Sequence, residues 1–79
     1  MNQTAGERTA ATVRAELARQ RKSGRELSRA LDWSTASTWR RLSGTHPFDI
    51  NELAAVADFL GVPLSSLISD GATSTAIPA

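Results

Sequence analysis

The sequence predicts an all-α domain of five short helices, and three observations predict it. Apolar residues recur at helical spacings, as in Ala10, Val13 and Leu17, and again in Leu53, Val56, Ala57 and Leu60. Residues that cap helix N-termini (Thr9, Ser23, Ser34 and Asp49) stand before the helical stretches. Glycine or proline then closes the later ones, at Gly44, Gly61 and Pro63. A chain of 79 residues allows one small domain with one modest core.

In chain order, residues 1–8 are polar and without periodicity, which predicts a flexible arm. The domain itself is expected over residues 9–69. A first helix should run from Thr9 as N-cap to about Arg21, with Arg14, Arg21 and Lys22 turned outward or along the ligand side. Ser23 with Glu26 three residues on reads as a capping box for a second helix, in which Leu27 and Leu31 share one face. A third helix opens after Ser34 and runs to Ser43 before Gly44 stops it. Its Thr38 points toward the core, where a hydroxyl is a weak choice. Asp49 and Glu52 make a second capping-box pair, with Phe48 as an apolar residue just before the cap. The helix that follows ends at Gly61, and Pro63 to Ile68 offers one more short helix. Leu64, Leu67 and Ile68 there present more apolar surface than so short a helix can bury, so a second copy of the chain could cover part of it. Residues 70–79 read as a flexible tail.

Only Asp32 and Trp33 separate the second and third helices, so the chain must turn sharply there. Helices this short are not stable alone, and a tight corner presents one outward on the other: a helix-turn-helix. Trp33 reads as a plug at that corner. The outward helix carries Trp39, Arg40 and Arg41.

Net charge is only +1, yet its distribution is lopsided. All nine Lys and Arg lie between Arg8 and Arg41, against three acids in that window (Glu16, Glu26 and Asp32), a local balance of +6. From Leu42 onward there are four acids and no base. A basic half that coincides with the helix-turn-helix is the footprint of a one-sided nucleic-acid surface.

The stretch GRELSRALDWSTASTWRRLSG (24–44), followed by PFDINELAAVADFLGVPLSSLI (47–68), resembles the Cro/repressor (XRE-type) helix-turn-helix family over roughly residues 10–69. The matching features are Leu27-Ser28, Leu31, the turn residue Asp32 and the post-helix Gly44. The family usually has glycine at the turn, where φ is positive, and Asp tolerates that better than most residues. The resemblance implies a five-helix lambda-repressor-like fold and double-stranded DNA as partner. It also implies base reading by Ser34, Thr35, Ala36 and Arg40. Arg offers a fork to guanine, hydroxyls donate or accept, and an alanine methyl can meet a thymine methyl. Backbone contacts are expected from Ser23, Gly24, Arg25, Trp39, Arg41, Ser43, Thr45 and His46, which flank that helix. Relatives often pair an Arg in the first helix with a Glu ending the third; the matching positions here are Leu17 and Leu42, both apolar. Within the family the chain is similar to phage Cro or a short phage-type repressor, and suits Cro better than a long repressor, since no cleavage or oligomerisation domain is expected after the DNA-binding unit.

An enzyme is not expected. The chain has no Cys, a single His and no Gly-rich phosphate loop, and its carboxylates are scattered over separate helices. No metal or cofactor is implied. A cytoplasmic place in a bacterial host cell is the expectation, because no apolar run is long enough to span a bilayer and no signal-peptide pattern opens the chain. The rival reading is a protein-binding module of the same fold, such as an antitoxin or a small phage protein acting on a host factor.

Overall fold

In the computed structural model, which describes residues 4–68, five helices follow one another: α1 (Ala5–Arg19), α2 (Gly24–Leu31), α3 (Thr35–Leu42), α4 (Ile50–Leu60) and α5 (Leu64–Leu67). The architecture is all-α, as the sequence predicts. Four of the helices start on a side chain that accepts a backbone N–H: Thr4, Ser23, Ser34 and Asp49. In three of them, the Glu at the third helical position (Glu7, Glu26 or Glu52) reaches back to the cap to complete a capping box. Three helices also end alike. Arg21, Asp32 and Gly61 each take a left-handed conformation. The next residue then donates back to the last turn: Lys22 to Leu17, Trp33 to Ser28 and Val62 to Ala57. Only the last of these αL positions is a glycine, so the other two are conformationally costly.

The first helix corrects the sequence reading. It begins at Ala5, not after Thr9, and residues 5–8 are helical instead of forming an arm. Thr4 and Glu7 supply the capping box there, with both of its hydrogen bonds formed at 2.8–3.0 Å. The first turn is also packed. A Cβ placed on Gly6 would stand 3.3 Å from the Cβ of Pro47, and one on Gly44 would stand 3.3 Å from Cγ of Glu7. The opening of α1 therefore rests against the loop between α3 and α4. The readings for residues 1–3 and for the tail at 70–79 lie outside the described residues.

Each helix contributes to one core. Val13 and Leu17 come from α1, Leu27 from α2, Leu42 from α3, Leu53, Val56, Ala57 and Leu60 from α4, and Leu67 from α5. Leu17 and Leu42, the positions that the resemblance pairs, are both buried there. Burying an aliphatic side chain of this size contributes about 1.5–3 kcal/mol. Leu67 is only 1% exposed and Leu64 packs against the same cluster. The apolar surface proposed for a second copy is thus mostly filled by the chain's own core, leaving Ile68 at 43% exposure.

Candidate nucleic-acid interface

The corner between α2 and α3 is built from Ser28 to Thr38. Asp32 turns the chain with φ 57° and ψ 40°, the positive φ anticipated for that position. Trp33 follows half-buried, its ring 6.3 Å from that of Phe48 and packed on the core. Ser34 returns to extended backbone and its hydroxyl accepts the Ser37 N–H at 3.0 Å. Thr38, the weak core residue of the sequence reading, is wholly buried, and its hydroxyl is satisfied. It donates to the Ser34 carbonyl at 3.0 Å and faces the buried Ser28 hydroxyl at 3.1 Å. Ser28 Oγ also lies 3.2 Å from the Gly24 carbonyl. This hydroxyl pair joins the two helices from inside, where an unpaired hydroxyl would be costly. A chain that spaces Ser28 ten residues before Thr38 carries the signal, but only packing shows that they meet.

With Thr38 and Leu42 inward, the opposite face of α3 is open. Ser34, Thr35, Ala36 and Arg40 are all exposed, and the Trp39 indole is 55% exposed. Arg40 makes one long approach, 3.5 Å to Ser37 Oγ, so its guanidinium is available to a ligand. Trp39 is not buried; it lies over the start of α2, where a Cβ on Gly24 would meet its ring at 3.5 Å. Ser23 and Arg25 are exposed at that same helix start, while Ser43, Thr45 and His46 are exposed beyond the end of α3. There, Ser43 Oγ and Thr45 Oγ1 are 2.9 Å apart, and His46 donates its N–H to the Arg40 carbonyl.

Arg41, one of the expected backbone contacts, lies on the other side of α3 from the open face. Its guanidinium turns to α4, where Nε and Nη2 donate to Glu52 Oε1 and Oε2 at 3.0 Å each. Its Nη1 donates to the Ser37 carbonyl, and the group lies 5.4 Å over the Trp33 ring. With 15% of its side chain exposed, Arg41 holds the fold together and presents little to a ligand. The hydrogen bond to Glu52 raises the Arg41 pKa. A two-pronged pair of this kind is among the stronger polar contacts available.

The remaining cations sort by partner. Arg19 pairs with Glu16 on its own helix, and Lys22 sits 4.7 Å over the Phe59 ring. Arg21, Arg25, Arg29 and Arg40 have no carboxylate partner among the described residues. Arg14, absent from the contacts that the resemblance implies, reaches across to donate from Nη1 to the Leu42 carbonyl at 2.5 Å. No group of metal-ligating side chains occurs among the described residues, and none of their helices is long and apolar enough to cross a membrane.

A small helix-turn-helix with an open, basic outer helix defines a DNA-binding type of domain, and the comparison with protein families agrees. The chain belongs to the BetR domain family, whose model matches residues 4–79. That membership points to a DNA-binding, regulator-like role. No curated protein and no solved structure matches the chain.

Proposed function

We propose that this protein is a sequence-specific, double-stranded DNA-binding transcriptional regulator that reads the major groove with α3. The observation that carries the reading is the division of that helix. Thr38 and Leu42 are buried, whereas Thr35, Ala36, Trp39 and Arg40 stand open, and Arg25 and Arg29 of α2 are exposed as well. Arg40 reads guanine, Ser34 and Thr35 offer hydroxyls, and Ala36 meets a thymine methyl. Ser23, Gly24, Arg25, Trp39, Ser43, Thr45 and His46 fix the register on the backbone. The action is that of a Cro-like or short phage-type repressor in the bacterial cytoplasm, with two copies on a two-fold site whose half-sites lie about one helical turn apart.

Selection of bound fragments from a genomic DNA library tests this. Recovery of one short, two-fold motif supports the reading. Recovery of no preferred motif, together with a tight complex with one host protein, would replace it by a protein-binding module of the same fold.

A further inference from the structure

Beside α3, Arg14 of α1 and Trp39, Leu42 and Ser43 line a shallow open cleft of about 320 Å³. Its chemistry is mixed in a particular way. One wall is the exposed indole of Trp39, an apolar flat surface. Arg14 also lines it, and its guanidinium has no carboxylate partner among the described residues. The Leu42 carbonyl takes one of its N–H groups and so holds the planar fork at the cleft, leaving the other N–H groups to a ligand. Ser43 adds a hydroxyl, engaged with the Arg40 carbonyl and Thr45.

A deoxyribose with its phosphate has this same composition: an apolar ring edge that packs on an aromatic face, and an anion that a guanidinium binds with charge-assisted hydrogen bonds. We infer that the Arg14–Trp39 cleft holds one sugar–phosphate unit of the DNA backbone, Trp39 against the sugar and Arg14 on the phosphate. This makes α1 a third DNA-contacting helix. The inference rests on the DNA-binding reading and deepens it. It also gives the Arg14–Leu42 hydrogen bond a purpose beyond capping the end of α3, because it aims the cation at the wall of the outer helix.

The test uses the full chain and a short duplex of random sequence, since a backbone contact carries no sequence information. Affinity is measured over a series of salt concentrations for the native chain, Arg14→Gln and Trp39→Leu, with thermal melting of each variant. Losing one phosphate contact lowers the slope of log affinity against log salt by about one, and weakens binding roughly eightfold at about 0.1 M salt. Arg14→Gln should show both changes. Trp39→Leu should weaken binding while keeping the slope, because it removes packing and no charge. A set of duplexes of one selected DNA site, where the register is fixed, each carrying one methylphosphonate, supplies a readout that a loss of stability would not move. One of the linkages that weaken native binding should cost nothing further in Arg14→Gln. If Arg14→Gln melts lower yet keeps the native slope and the native methylphosphonate pattern, Arg14 only caps α3 and the inference falls, with the DNA-binding reading intact. If the native chain does not bind the duplex even at low salt, both fall.

Discussion

Arg41 and Glu52 grip one another through two parallel hydrogen bonds of 3.0 Å, and the same carboxylate caps α4 by accepting the Asp49 N–H at 2.9 Å. One side chain thereby ties the end of the outer helix to the start of the next. Removing the cation leaves a partly buried carboxylate with its cap alone. Arg41→Ala should lower stability by about 1.5–3 kcal/mol, the range for a hydrogen bond to a charged group. In urea unfolding this appears as a lower midpoint at unchanged slope. The salt slope of DNA binding should stay at the native value. A lowered slope with no loss of stability would return Arg41 to the phosphate-contacting set.

Acid should act on the same pair. The Arg41 hydrogen bonds hold the Glu52 carboxyl below its ordinary value of 4.5; burial opposes that and the Asp49 N–H assists it. A carboxyl with a depressed folded-state pKa stabilises fully above its unfolded value. The contribution is then lost as pH falls from there through the lower folded value. The gap in stability between the native chain and Glu52→Gln should therefore be widest near neutral pH and shrink progressively as pH falls below 4.5. Glu16, held low by Arg19 and Gln20, pairs with a largely exposed guanidinium and should add little. A gap that is constant between neutral and acid pH would contradict the assignment.

The buried hydroxyls make a separate prediction. Thr38→Val keeps the shape and removes the bond to Ser34 and the partner of Ser28. It should cost about 1 kcal/mol, since Ser28 retains the Gly24 carbonyl. Adding Ser28→Ala should cost less in that background than in the native chain, because the two groups share one network. Strictly additive melting data would show that the pair is not coupled.

Leu17 and Leu42 allow a test of the core. Leu42→Glu buries a carboxylate at a site 2% exposed and should destabilise by a few kcal/mol, roughly the cost of an unpaired buried charge after relaxation. Adding Leu17→Arg should recover part of that loss. A double variant no more stable than Leu42→Glu alone would mean that the two side chains do not meet.

These residues also show how far the sequence could be read. The later helices were legible because their signals are local: Ser23 with Glu26, Asp49 with Glu52, and Gly61 each announce an end through neighbours within a few residues. The start of α1 was missed because Thr4 and Glu7 carry the same capping signal in a stretch with no apolar stripe. What secures that turn is contact with Gly44 and Pro47, far along the chain. The Arg41–Glu52 pair is illegible in the sequence for a related reason. A basic residue on an outward helix looks like a phosphate ligand until α4 brings Glu52 to it. The pairing of Ser28 with Thr38, and the reach of Arg14 to Leu42, likewise exist only once three helices are packed. The exposure of Trp39 is likewise decided by packing, because α3 meets α1 and α2 through its other face.

The claim that α3 reads sequence through Arg40 is tested most directly by titrating Arg40→Ala and Arg25→Ala against a selected DNA site and a scrambled duplex. Both residues are exposed, so circular dichroism should show both variants folded. Arg40→Ala should lose about 1–3 kcal/mol on the selected site, with relaxed preference at one base pair and little change on the scrambled duplex. Arg25→Ala should weaken both duplexes alike. An equal loss on both duplexes for Arg40→Ala would make Arg40 a phosphate contact and contradict the account.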